Sequence, residues 1–214
     1  MTSTENLILD LSVDLAPVRQ RNLWAEVSAL LGIGATEAAL IASTGAMRPD
    51  LGQVILSPFM AWKMGGLAAL AAVCCTVAVR SFSPPDFSRR SLDIVLALAA
   101  LVASAGVSVT TAAERSRPLL DRLMPVHGMC CAAAIVVLAL PIVGLLAWLM
   151  RRAAPVHPER SAWAAGVAAA SCGALVFTLC CPANDPLYVV VWYAIGVSAV
   201  AAAARWLLPR RFRL

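Results

Sequence analysis

The chain is written in long apolar runs separated by short segments that carry most of its charge. Six runs, at about 23–44, 59–80, 91–112, 126–150, 161–180 and 187–208, are each long enough to cross a hydrocarbon layer of about 30 Å at about 1.5 Å per residue. The pattern predicts an all-α fold, a six-helix transmembrane bundle over residues 23–208, preceded by a segment at 1–22 and followed by a basic tail at 209–214. No signal peptide is expected, because Glu5, Asp10 and Asp14 interrupt the first residues and no unbroken apolar core forms there. Alanine, glycine and serine crowd the second, third and fifth runs, so those helices are expected to pack closely.

Composition sharpens this reading. Apolar residues make up 61% of the chain and charged ones 14%, with a mean hydropathy of +0.81, whereas soluble domains carry about a quarter charged residues. No room is left for a separate soluble domain, and most conventional soluble enzymes are excluded. The net charge of +5 then reads as topology rather than as a nucleic-acid footprint. With a cytoplasmic N-terminus, twelve arginines (19, 21, 80, 89, 90, 151, 152, 160, 205, 210, 211 and 213) lie inside and four (48, 115, 117 and 122) outside. That imbalance predicts a multi-pass protein of the bacterial inner membrane with both termini cytoplasmic. Tryptophans 24, 62, 148, 163, 192 and 206 fall near expected helix ends, where an amphipathic ring prefers the headgroup level.

Catalytic signatures are missing: there is no Walker loop, His-Glu-x-x-His, Cys-x-x-Cys or Gly-x-Ser-x-Gly, so the expectation is a protein that is not an enzyme. Haem is disfavoured, because the two histidines, His127 and His157, are expected on opposite sides of the membrane. Glu37 and Lys63 lie within expected spans, where ionisable groups are expensive. They form a candidate intramembrane pair, with the alternative that Lys63 snorkels to the interface and Glu37 meets a local hydroxyl.

Seven cysteines divide by depth. Cys74, Cys75 and Cys172 read as buried small apolar residues. Cys130-Cys131 begins the fourth expected helix and Cys180-Cys181 ends the fifth at the same face, with His127 one turn before the first pair and Asp185 in the adjoining loop. Thiols, an imidazole and a carboxylate at one level can coordinate a soft metal or exchange with disulfides; packing as small apolar side chains is the simpler alternative. Neighbouring cysteines rarely bridge each other, so a link between helices is favoured over one within a pair. Pro182 is expected to end the fifth helix and Pro141 to kink the fourth, carrying a change at one end to the other. In the N-terminal segment, Leu7, Ile8, Leu11, Leu15 and Val18 recur at helical spacing among Glu5, Asp10 and Asp14. This acidic amphipathic stretch suits a protein partner with a basic, apolar surface better than anionic lipid.

Leu7-Ile8, Leu11 and Leu15-Ala16-Pro17-Val18-Arg19, then Cys131, Pro141 and Arg151-Arg152-Ala153-Ala154-Pro155, then Cys181-Pro182, Tyr188, Trp192-Tyr193 and Gly196, stand in an order that resembles the NrsF family. These are bacterial six-helix membrane anti-sigma factors, negative regulators of an extracytoplasmic-function (ECF) sigma factor. The resemblance implies that the cytoplasmic segment, through Leu7, Ile8, Asp10, Leu11, Asp14, Leu15 and Arg19, holds the ECF sigma factor at the bilayer. No direct contact with nucleic acid follows. It further implies that Cys131 and Cys181 face the periplasm, sense heavy-metal or oxidative stress and trigger release. A heavy-metal ion held transiently by those two thiols is the one cofactor expected, with Cys130, Cys180, His127 and Asp185 as candidate helpers. Ala183 stands one residue after Cys181-Pro182, where the family carries an acidic group; Asp185 follows two later. The rival class is a membrane thiol oxidoreductase, which would want a Cys-x-x-Cys, or a soft-metal permease, which would want ligands at several depths.

Overall fold

The protein is described from a computed structural model over residues 23–82, 89–109, 118–153 and 157–210. Among these residues all regular structure is helical: α1 (Leu23–Ser43), α2 (Leu51–Val54), α3 (Pro58–Ser81), α4 (Arg89–Val109), α5 (Leu119–Leu123), α6 (Pro125–Ala153), α7 (Pro158–Phe177) and α8 (Pro186–Arg210). The expected sigma-binding residues Leu7, Ile8, Asp10, Leu11, Asp14, Leu15 and Arg19 lie outside the described residues.

Helices α3, α6, α7 and α8 all open on proline. The first turn has no internal acceptor for a backbone N–H, so the missing proton is not missed there, and the fixed φ suits a helix start. Ser57 caps α3, its hydroxyl accepting from the Met60 N–H at 3.2 Å.

Six spans were expected, and five helices, α1, α3, α6, α7 and α8, are long and apolar enough to cross a membrane. The third expected span does form a helix, α4, but its apolar stretch among the described residues is Asp93–Gly106, short of the roughly 20 residues a span needs. Asp93 puts a charge near its start. Trp62 fastens α4 to α3, its indole N–H donating to the Val102 carbonyl at 2.8 Å.

The bundle is organised around α7, packed against α3, α6 and α8 and buried along most of its length. Its run of small residues makes this possible, because dispersion between close backbones replaces the hydrophobic drive that lipid removes. Gly173 marks one close approach between backbones. A Cβ there would stand 2.9 Å from the Ala139 nitrogen and 3.1 Å from the Ile135 carbonyl oxygen of α6. Helix α6 continues through Pro141 to Ala153, although the ring forfeits one hydrogen bond. Helix α1 is peripheral and touches only α6 and α7 appreciably, leaving Trp24, Leu31 and Leu40 exposed.

Helix α7 runs opposite to α3, α6 and α8, which gives the bundle two distinct ends. At one, Ser161 at the start of α7 donates to the Ser81 carbonyl at the end of α3 (3.0 Å). Arg152 and Arg210 lie 3.7 Å from the ring centroids of Trp148 and Trp206, an arrangement suited to the headgroup level. At the other end the starts of α3, α6 and α8 meet the residues that follow α7.

Candidate functional site

Past Phe177 the helix tightens. Leu179 and Cys180 donate to the carbonyls three residues back, at 3.1 and 3.0 Å, and Cys181 donates to Phe177 at 3.1 Å. The expected stop at Pro182 is therefore reached early, and the Cys180-Cys181 pair sits on a turn beyond the helix rather than in its last turn. This turn folds Cys181 inward until it is fully buried.

Cys181 packs in one apolar cluster with Ile135, Phe177, Tyr188 and Tyr193, and Cys131 lies against the same cluster from the start of α6. The two sequence-predicted sensor cysteines thus come together, with their thiols within interaction reach of each other. Cys131 Sγ is 3.1 Å from the Tyr188 hydroxyl, which sits in the first turn of α8. Tyr193, five residues on, has a buried hydroxyl near Cys181 that has no hydrogen-bond partner among the described residues.

Lys63 closes the site from α3. It is 1% exposed; its ammonium donates to the Ala183 carbonyl at 3.4 Å and lies 5.5 Å from the Tyr193 ring centroid and 5.8 Å from that of Phe59. Aromatic faces and a carbonyl replace part of the lost hydration of a buried ammonium. Both expectations for Lys63 are corrected: it neither snorkels nor pairs with Glu37. Helix α1 packs chiefly on α6 and α7, so Glu37 is buried elsewhere, and among the described residues both its carboxylate oxygens are without hydrogen-bond partners. Instead, Lys63 stands within electrostatic reach of Cys181 and Cys131.

The candidate helpers separate. Cys180 is half-buried at the edge of the cluster, and burial pushes its thiol up from the ordinary value. Cys130 and His127 are exposed on the outer side of α6, away from the buried thiols. Asp185 is engaged differently from expectation. Its carboxylate takes two hydrogen bonds from Arg122, both 2.7 Å, and accepts the Leu187 N–H at 2.9 Å, capping α8. Burial opposes its ionisation, but the Arg122 hydrogen bonds, the backbone bonds and the nearby positive charge outweigh it and hold the carboxyl below the usual range. It anchors a loop rather than assisting a thiol.

Arg122 was invisible as a partner because α5 is only five residues long and is set off from α6 by Met124 at φ 39. The indole N–H of Trp192 donates to the Leu123 carbonyl at 2.8 Å, tying the same corner to α8. Arg48, likewise unassigned by sequence, is 4% exposed, donates its backbone N–H to the Leu179 carbonyl at 3.0 Å and pairs with Asp50. The Asp50 hydrogen bond raises the Arg48 guanidinium and lowers the Asp50 carboxyl relative to their ordinary values. Two anchored arginines therefore frame the thiol turn. Among the described residues no three His, Cys, Asp or Glu side chains converge as metal ligands, so a metal at Cys131 and Cys181 would have two protein thiols and not a closed cage.

Residues 11–214 match the family described as NrsF, negative regulator of sigma F. The chain is similar to the anti-sigma-F factor NrsF of Caulobacter vibrioides, 30% identical over 96% of this chain and 98% of that one. It is also similar to the probable anti-sigma-F factor NrsF of Azospira oryzae, 26% identical over 93% of each. No solved structure matches.

Proposed function

The chain belongs to the NrsF family of negative regulators of sigma F, and from that premise we propose that it is an inner-membrane anti-sigma factor of the ECF class, relieved by stress at Cys131 and Cys181. Residues 1–22 hold the sigma factor on the cytoplasmic side; the thiol end of the bundle faces the periplasm. The twelve-to-four arginine imbalance and the tryptophan-stacked arginines at the opposite end support this orientation.

One observation carries the reading: Cys131 and Cys181 come from different helical segments, α6 and the turn after α7, into one cluster beside the buried Lys63. The thiolate is the form that binds metal or attacks a disulfide, and a buried cation is what a site developing negative charge requires. Oxidation removes two electrons and two protons from the two thiols and forms one S–S bond, the electrons passing to the periplasmic oxidant. A thiophilic metal instead displaces both thiol protons and joins the sulfurs through itself. Either bond ties the start of α6 to the turn after α7 and displaces Cys131 from its 3.1 Å contact with the Tyr188 hydroxyl. Helix α6 is continuous to Arg151 and Arg152, so displacement at its start is felt at its far end. Moving a sigma factor from mostly bound to mostly free takes a difference of about 5 kcal/mol between states, within the range of a covalent or metal–thiolate bond.

The test is a sigma-dependent reporter in cells carrying Cys131→Ser/Cys181→Ser. The double variant is expected to keep the reporter silent under cadmium salt or diamide, while deletion of residues 1–22 turns it on without stress. Normal induction in the double variant would end the sensing assignment and leave the family assignment untouched.

A further inference from the structure

Away from the thiol end, Cys75 of α3 and Cys172 of α7 face each other with their sulfurs 3.5 Å apart. Cys75 is twelve residues beyond Lys63, about 18 Å along the helix. The pair packs against the other apolar cluster, around Cys74, Leu146 and Ala168, and neither thiol takes part in the Cys131–Cys181 site. Both are half-buried and lie within helices rather than loops.

The separation selects among the chemistries available to two thiols. A disulfide needs sulfurs about 2.05 Å apart, which would require the helices or rotamers to close by about 1.5 Å. Linear two-coordinate binding needs them about 4.6 Å apart, twice a metal–sulfur bond of about 2.3 Å. At 3.5 Å the two sulfurs span adjacent positions of one soft atom, with an angle between the bonds of about 100° at that bond length. No third Cys, His, Asp or Glu joins them as a ligand among the described residues, so the atom arrives with its remaining substituent attached. A second observation points the same way. Glu37 is buried with both carboxylate oxygens unpartnered, and it lies within electrostatic reach of Cys172.

We propose that Cys75 and Cys172 form a second dithiol site, inside the bundle, that takes a monosubstituted trivalent arsenical. Such a compound is neutral and enters an apolar region without the desolvation that excludes a hydrated cation. The reaction is a condensation: the arsenic–oxygen bond of R–As=O breaks, two arsenic–sulfur bonds form, and the oxygen leaves as water with both thiol protons. Nothing is oxidised or reduced. The product ties α3 to the central helix α7.

Phenylarsine oxide, added to the purified full-length chain in detergent, tests this. With the other five cysteines changed to serine, intact mass is expected to show one arsenical per chain with loss of one water, and both thiols are protected from maleimide. Cys75→Ser or Cys172→Ser is expected to weaken capture at least about tenfold, because the second bond is then no longer intramolecular. Should the five-serine chain not fold, peptide mapping of the natural chain gives the same answer: Cys75 and Cys172 lose maleimide reactivity together. Capture that survives Cys172→Ser, or alkylation of both thiols undiminished by the arsenical, overturns the site.

Discussion

Two cysteine pairs in one bundle have opposite settings. Cys131 and Cys181 share their cluster with a tyrosine hydroxyl, a buried ammonium and backbone carbonyls, and they are framed by arginines anchored in loops. Cys75 and Cys172 have each other, an apolar wall and one unpartnered carboxylate. The thiol is the same; what differs is which charges and donors its surroundings can supply when it ionises. The first pair is built where helices end and loops cross, so polar groups converge there. The second sits where two helices pass each other and the only polar groups are the side chains they bring.

Both settings hang on α7, and breaking that helix's packing is the largest effect available. Gly173→Leu forces a side chain into the backbone of α6 beside Ala139 and Ile135 and is expected to destabilise the bundle by about 3 kcal/mol. Detergent-phase thermal unfolding should show a lower midpoint, with maleimide access rising at both pairs together. A rise at only one would mean the two are not joined through α7.

The next effect belongs to the loop frame alone. Asp185→Asn removes the charge that Arg122 pairs with and is expected to lose about 2 kcal/mol, the scale of hydrogen bonds to charged groups. Because the native Asp185 carboxyl is held below its ordinary value, its contribution is complete above the unfolded value of about 4 and disappears as pH falls through the lowered native one. Melting of the natural chain and of Asp185→Asn should therefore differ constantly above about pH 5 and converge on acidification. A difference that persists at acid pH would place the effect in packing.

How much of this was legible in the sequence follows from the range over which each force acts. Helices α1, α3, α6, α7 and α8 were readable because length and hydropathy are properties of one segment. So was the placement of Cys130-Cys131 and Cys180-Cys181 at one end, which needs only antiparallel neighbours at one depth; singling out Cys131 and Cys181 took the family resemblance. Helix α4 departs from the expectation, since among the described residues its apolar stretch, Asp93–Gly106, is shorter than a span needs. The partners of Lys63 and Glu37 were misread for one reason. Opposite charges at similar depth suggested contact, but contact depends on which helices touch, and hydropathy is silent on that. The central position of α7 had a signal in its alanine and glycine content, which was assigned equally to the second and third runs. Tyr188 and Tyr193, five residues apart, carried no local signature of a shared cluster.

Tyr188→Phe separates the two pairs at a smaller scale. It deletes the hydroxyl 3.1 Å from Cys131 and keeps the ring, so the expected loss is about 1 kcal/mol, with alkylation of Cys131 faster and of Cys75 unchanged. Rate constants for the two peptides measured in one labelling experiment make the comparison internal. An equal change at Cys75 would indicate general loosening in place of a lost contact.

The smallest effect is a coupling expected to be absent. Lys63 belongs to the first setting and Glu37 to the second, and no hydrogen bond or ion pair joins them among the described residues. In a cycle of Lys63→Met, Glu37→Gln and the double variant, the unfolding free energies should add to within about 0.5 kcal/mol. The single changes need not be harmful, because replacing a buried charge by an apolar chain of similar volume is often neutral or stabilising. A parallel cycle of Lys63→Met with Tyr193→Leu supplies the contrast, since that ring and that ammonium are 5.5 Å apart, and there a coupling of about 0.5–1 kcal/mol is expected. Were the first cycle coupled and the second additive, the two charged groups would belong to one site and the division of the bundle into two thiol settings would fail.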